Sequence, residues 1–276
     1  MDYGCDRKAV LRQGIDVSGK VGLEIGALMN PIVTKAEGMI YYADHLDTKS
    51  LIHKYANDPN VDTGKIVQVD YVWGDQTLGQ AVPRHIQFDY IIASHVIEHV
   101  PDMIGWLFEL DEVLKEDGIV SLAIPDKRYT FDYFRPLTTM AELIDAYLNR
   151  YREPTIRQLY DSYANTARVD TYRTWLPDFD ASGIERYHTE EEAFQLCKEI
   201  SRIGGYHDVH CTIFTVHSFL EIVTKLIKLG LFPFTIVQLH MPVPYSNEFI
   251  VKLGAMPKSM SPEERMREQL ASLPSI

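Results

Sequence analysis

Several acids and histidines stand where the chain leaves an apolar run, and that placement limits the chemistry they can do. Glu24 and Gly26 close the run that starts at Val21. An acid inside an apolar strand needs a partner, and a following glycine lets the backbone take φ > 0 or approach a ligand closely. Such a junction suits a phosphate, ribose or carboxylate group. Asp44, twenty residues after Glu24, closes a second run at residues 39–43. It can accept from both hydroxyls of a ribose, or cap the helical stretch 48–55 that follows. His207-Asp208-Val209-His210 offers two imidazoles around a carboxylate, and three readings stay open: a base with its orienter, ligands for a divalent ion, or a polar turn. His95 and His99 are four residues apart and would share one face of a helix.

The elements that must hold these residues alternate. Short apolar strands are expected at 21–25, 39–43, 65–69, 87–93 and 119–124. Apolar residues Ile104, Leu107, Phe108, Leu110, Val113 and Leu114 predict a helix over 103–115, stopped at Glu116-Asp117-Gly118 with Gly118 as a left-handed cap. Strands alternating with helices predict a parallel sheet whose ligands bind beyond the carboxyl ends of the strands. A helix over 216–229 closes at Gly230, and strands 234–239 and 248–253 read as an antiparallel hairpin. Residues 126–206 break the alternation, with helical stretches at 139–152, 155–163 and 190–203. They read as an insertion over the strand ends, where a substrate lid belongs, or as a helical appendage away from the site. The expected organisation is a lead-in at 1–20 with at most one cap helix, a core at 21–125 plus 207–256, the insertion at 126–206, and a tail at 257–276. Ser261-Pro-Glu-Glu264 has the form of a capping box and predicts a short helix in that tail.

A net charge of −12 disfavours nucleic acid and anionic membrane surfaces, which call for clustered Lys and Arg. No apolar run reaches the length of a membrane span, and the first residues lack the apolar stretch of a secretory signal. Cys5, Cys197 and Cys211 have no metal-type spacing and read as reduced thiols of a cytoplasmic protein.

Taken together, these segments resemble the class I S-adenosylmethionine-dependent methyltransferases of the type-11-like kind, over residues 21–125 and 214–256. Leu23-Glu-Ile-Gly26 is similar to the family's first motif, and Asp44 matches its ribose-binding acid. The segment Phe88-Asp-Tyr-Ile-Ile-Ala-Ser-His-Val-Ile-Glu-His-Val100 is similar to its fourth-strand motif, and Gly118-Ile-Val-Ser-Leu-Ala-Ile-Pro125 to its fifth strand. Ala27-Leu-Met-Asn-Pro31 departs from the usual glycine-rich loop. A narrower resemblance, to bacterial methyltransferases that accompany glycan-building enzymes, rests on Pro125-Asp-Lys-Arg-Tyr-Thr-Phe-Asp132, Arg135-Pro-Leu-Thr138, Arg186-Tyr-His188 and Asp208-Val-His210.

The resemblance implies an α/β fold: a Rossmann-like seven-stranded sheet with a terminal antiparallel hairpin and a mainly helical insertion after strand 5. It implies S-adenosylmethionine as cofactor, held at Glu24, Ile25, Gly26, Ala27, Asp44, His45, Asp70, Tyr71, Ser94 and His95. Glu24 would take the methionine amino group, the turn's backbone the carboxylate, Asp44 the ribose, and Asp70 with Tyr71 the adenine. The acceptor would be a hydroxyl of a small molecule or glycan, with His210, His95 or Asp126 in the catalytic role and no resident metal. His99 would pack and hydrogen-bond locally. Arg128, Tyr129, Arg135, His188 and His207 are the expected acceptor contacts. The two arginines could instead pair with the insertion's acids, and His188 could instead cap the helix it opens. N- or C-methylation on the same fold and a non-catalytic scaffold role are the alternatives, and a dehydrogenase fits the hairpin less well. Oligomeric state is left open, a homodimer among the options.

Overall fold

In the computed structural model, residues 6–275 are described. Seven strands form one sheet: β1 (Val21–Ile25), β2 (Met39–Asp44), β3 (Tyr71–Val72), β4 (Phe88–Ser94), β5 (Leu114–Pro125), β6 (Thr235–His240) and β7 (Glu248–Gly254). Their order across the sheet is β3-β2-β1-β4-β5-β7-β6, parallel throughout except for β7, which runs antiparallel to both β5 and β6. The expected sheet and hairpin are therefore present. β1 and β4 lie side by side at the centre, so their apolar runs are buried on both faces, as in parallel sheets generally. The order reverses between β1 and β4, and their carboxyl ends deliver Gly26 and Ser94 to one crevice.

On one face pack α3 (Leu78–Ala81), α4 (Met103–Val113) and α8 (Val216–Lys228), with Leu78, Ile104, Trp106, Leu110, Val223 and Leu226 buried. On the other, α1 (Arg7–Arg12) sets Leu11 against Ile40, Tyr90 and Ile92. The buried Lys252 of β7 donates to the Leu11 and Gln13 carbonyls, which ties α1 to the sheet. Gly22 faces the buried Tyr90 ring, which occupies the place of a Cβ. Gly22→Ala is therefore expected to cost about 1–3 kcal/mol by overpacking, read as a lower urea midpoint.

Two local expectations fail for reasons visible in the hydrogen bonds. Residues 65–69 form no strand, because the Val67 N–H donates to Leu28 O in the loop after β1 and the Val69 N–H to Thr48 Oγ1. The third strand is instead the two-residue β3, just beyond it. α4 ends at Val113 rather than Lys115, and Leu114 already pairs with Phe88. Gly118 therefore lies within β5 and does not cap a helix.

Between β5 and α8 come α5 (Met140–Asn149), α6 (Ile156–Asn165) and α7 (Glu190–Ile203), each opened by a Thr in a capping box. Leu159, Cys197, Ile200, Val209 and Cys211 form a small second core there. Cys197 and Cys211 are free thiols, as expected, and both are buried; Cys5 lies outside the described residues. The capping box at Ser261 and Glu264 is present and opens α9 (Pro262–Ala271). Among the described residues no helix is long and apolar enough to cross a membrane.

Candidate active site

A cavity of about 770 Å³ lies beyond the carboxyl ends of β1, β2 and β4. Ile25, Gly26 and Leu28 line it from β1 and its loop, Asp44 and His45 from β2, and Ser94, His95 and His99 from the end of β4. Gly26 takes φ +72°, its N–H donates to Ala43 O, and a Cβ there would come within 2.9 Å of Val96 Cγ2. Leu28 and His95 also take positive φ, +45° and +55°, strained values for residues with side chains. Tyr151 and Arg152, between α5 and α6, reach the same cavity, as do His207 and Asp208.

Glu24 does not line it. Its carboxylate is buried and accepts from the Ile32 N–H at 2.7 Å and the Val33 N–H at 3.1 Å. The acid thus anchors the bulky loop that replaces the common glycines. Ala27 is buried and also leaves the cavity to Leu28. Burial pushes the Glu24 carboxyl up to about 7, although the two N–H donors pull against it. Because the folded-state value lies above the ordinary 4.5, the folded state loses stability as pH rises from that value through 7. The loss is on the order of 3 kcal/mol, taking about 1.4 kcal/mol per unit. In urea melts, the stability of the unaltered protein relative to Glu24→Gln should fall between pH 5 and pH 8; a constant difference would refute this.

Asp70 and Tyr71 are also displaced from their expected place. Asp70 accepts from the Tyr42 N–H at 2.9 Å and Lys35 Nζ at 2.8 Å, and Tyr71 stacks on Tyr41. Trp73, Gly74 and Asp75 line the cavity where that segment reaches it. Asp44 stays at the wall, with Oδ1 taking the His45 N–H at 2.7 Å, while Asp47 caps the next helix, α2 (Thr48–Lys54). The two readings of Asp44 are thereby separated.

A side pocket of about 200 Å³ shares His95 and His99 with the main cavity and adds Glu98, Thr130, Phe131, His210 and Asn247. Here His210 Nδ1 meets Asp132 Oδ2 at 2.5 Å. The carboxylate has no hydrogen to give, so Nδ1 carries the one in this contact, and in the neutral tautomer Nε2 is the acceptor. Asp132 is fixed in turn by the fully buried Arg135, which also holds Asp161 and the His210 carbonyl. Burial opposes charge on Asp132, but His210 and Arg135 keep its carboxyl below the usual range.

His95 is engaged on both ring nitrogens. Nε2 lies 2.7 Å from Glu248 and Nδ1 3.3 Å from Glu98; burial works against charge, yet the two carboxylates lift the ring to about 9. Both contacts favour the protonated ring. Arg7 also binds Glu248 through Nε at 2.6 Å and donates to Ser94 Oγ. Asp126 is equally occupied, with both oxygens on the Arg128 guanidinium at 2.9 and 2.7 Å. Arg128 and Arg135 thus pair with acids. Tyr129 stacks on Trp175 at 4.1 Å, outside both cavities, and His188 packs on Tyr163 while Thr189 does the capping. His99 makes a local polar contact, with Nδ1 2.7 Å from Asp208 Oδ1, while the other oxygen of Asp208 takes Lys54 Nζ at 2.9 Å. Spacing did not single out Glu98, Asp132, Glu248 or Arg7. The available signal for Glu98 was a lone acid between Ile97 and Val100.

The model of a methyltransferase domain matches residues 1–188, and the chain belongs to that family. The cofactor of the family is S-adenosylmethionine, and the residues present fit it: the cavity is of suitable volume, Gly26 keeps its floor free of a side chain, and Asp44 stands at its wall. A search of curated sequences finds no match. Solved structures with a similar fold include one described as a candidate Zn-dependent alcohol dehydrogenase from Rhodobacter sphaeroides (14% identity, 92% of this chain and 91% of that one, TM-score 0.49). Another is described as a candidate S-adenosylmethionine-dependent methyltransferase from Listeria monocytogenes (11%, 91% and 98%, 0.45). A third is the 1,6-didemethyltoxoflavin-N1-methyltransferase of Burkholderia thailandensis with S-adenosylhomocysteine bound (12%, 91% and 76%, 0.44). At such identities and scores these likenesses carry no argument about the acceptor.

Proposed function

We propose that the protein transfers a methyl group to a hydroxyl oxygen of a small, hydroxylated acceptor of the glycan kind, held in the side pocket. The observation that carries this reading is the Asp132–His210 pair: a buried, oriented imidazole with Nε2 free, in a pocket that adjoins the cofactor cavity. A hydroxyl must lose its proton as its oxygen bonds to carbon, and a neutral imidazole is suited to take it near pH 7. Bound S-adenosylmethionine supplies the activated methyl. Asp44 would accept from its ribose hydroxyls, the backbone after Gly26 would meet its carboxylate, and the Trp73–Asp75 segment would take the adenine in place of Asp70 and Tyr71. His95, held between Glu98 and Glu248, positions the wall that the two cavities share. The helical segment 126–206 acts as the lid, with Tyr151 and Arg152 over the cofactor.

The test is product mapping. Full-length protein is incubated with methyl-labelled S-adenosylmethionine and a panel of sugars, phenols and amines. The expected product is a methyl ether; an N- or C-methyl product, with no ether formed, would overturn the oxygen assignment.

A further inference from the structure

Glu98 lines the side pocket. It is fully buried, and neither carboxylate oxygen has a hydrogen-bond partner among the described residues. An ionised carboxylate in that position is costly unless cations compensate it, and the His95 ring, with Nδ1 3.3 Å from Oε1, is shared with Glu248. Its neighbours are imidazoles. His210 Nε2 stands 4.0 Å from Glu98 Oε1, and one donor atom each from Glu98, His99 and His210 lie within 4.8 Å of one another.

We propose that Glu98, His99 and His210 form a binding site for one divalent ion of the zinc or cobalt type, at the junction of the cofactor cavity and the acceptor pocket. Two imidazoles and one carboxylate, with a side open to a pocket, make up the donor set of a catalytic rather than a structural zinc site. Mixed nitrogen and oxygen donors also favour such ions over magnesium or calcium. The second layer fits as well. A metal-bound histidine usually has a carboxylate behind its other ring nitrogen. Here Asp132 is hydrogen-bonded to His210 Nδ1 at 2.5 Å, and Asp208 stands 2.7 Å from His99 Nδ1 as an ion-pair contact without hydrogen-bond geometry. Donors around one ion at roughly 2.1 Å stand about 3–3.5 Å apart, so a separation of 4.8 Å must shorten by roughly 1.3–1.8 Å.

The site deepens the acceptor reading above and takes from it only the placing of the acceptor. An ion there would bind the acceptor hydroxyl and lower its pKa, so that the proton leaves to water through the open side of the pocket; His210 is then a ligand in the ion-bound protein and the proton acceptor in the ion-free one. His210→Ala lowers turnover in either state, so turnover cannot decide between them and metal binding must.

Chelator-treated, full-length protein is titrated with Co²⁺ and followed by its visible d–d absorption, with Zn²⁺ as competitor. One Co²⁺ per chain is expected, displaced by Zn²⁺ and without a thiolate charge-transfer band. Glu98→Gln and His99→Ala should each weaken binding at least tenfold, and Asp132→Asn by about 10–100-fold. His99 is partly exposed, so His99→Ala guards against a Glu98→Gln variant that fails to fold. Absence of stoichiometric binding, or equal binding by a folded His99→Ala, overturns the site. The rise in melting temperature with S-adenosylhomocysteine is measured on the same samples. Its loss while Co²⁺ binding persists would remove the cofactor reading and leave the ion site standing; the reverse would remove the ion site alone.

Discussion

Asp44→Ala is expected to abolish most of the rise in melting temperature that S-adenosylhomocysteine gives the unaltered protein. Asp44 ends β2, lies at the cavity wall, and is not used to cap α2, since Asp47 does that. A carboxylate that accepts from two ribose hydroxyls contributes about 1.5–3 kcal/mol per bond. Its removal should weaken ligand binding by roughly 100-fold or more, and the thermal shift follows the ratio of ligand concentration to Kd. The apo melting temperature should move little by comparison, because the groups that hold Asp44 belong to the adjacent His45. A full shift in the variant would remove Asp44 from the cofactor site; no shift in the unaltered protein would remove the site itself.

The second large effect is expected at the Asp132–His210 pair. His210→Ala should lower kcat by about 10²–10⁴-fold, the usual contribution of a positioned proton acceptor, while the Kd for S-adenosylhomocysteine changes little. His210 lines the side pocket and not the main cavity, which is why the two constants should separate. Asp132→Asn should lower kcat as well, because an amide can present its NH2 to Nδ1 and reverse the tautomer. Turnover of His210→Ala within a few-fold of the unaltered protein would take His210 out of the reaction.

The alternation of strands and helices, the hairpin and the position of Asp44 could be read from the chain because each depends on local pattern. β1 needs only a short apolar run, and the buried faces of α4 and α8 follow from helical spacing. β3 could not be read, because Val67 and Val69 look like strand residues while their N–H groups bond to a loop and a threonine side chain. Glu24 was legible as an unusual acid, but its partners are backbone N–H groups eight and nine residues on, which no side-chain pattern records. The proton-handling group was the least legible part. Asp132 meets His210 across 78 positions, and Glu248 meets His95 across 153. Such pairs are set by how the helical segment and the hairpin fold back over the sheet. For the same reason Asp126, Arg128 and Arg135 attracted site roles: their place after β5 was right, but their charges are used on one another and on neighbouring acids.

The placing of β7 between β5 and β6 also has a consequence for synthesis on the ribosome. β5 is one of the longest strands, yet the neighbour that covers its outer edge is contributed by residues 248–254. A nascent chain that has emerged only as far as α8 presents that edge unpaired, with its backbone donors and acceptors open to other chains. Completion of the sheet must wait for one of the last strands made, a long-range closure that slows folding and extends the time at risk of aggregation. Fragments that stop before Glu248 should therefore be the ones that need a chaperone.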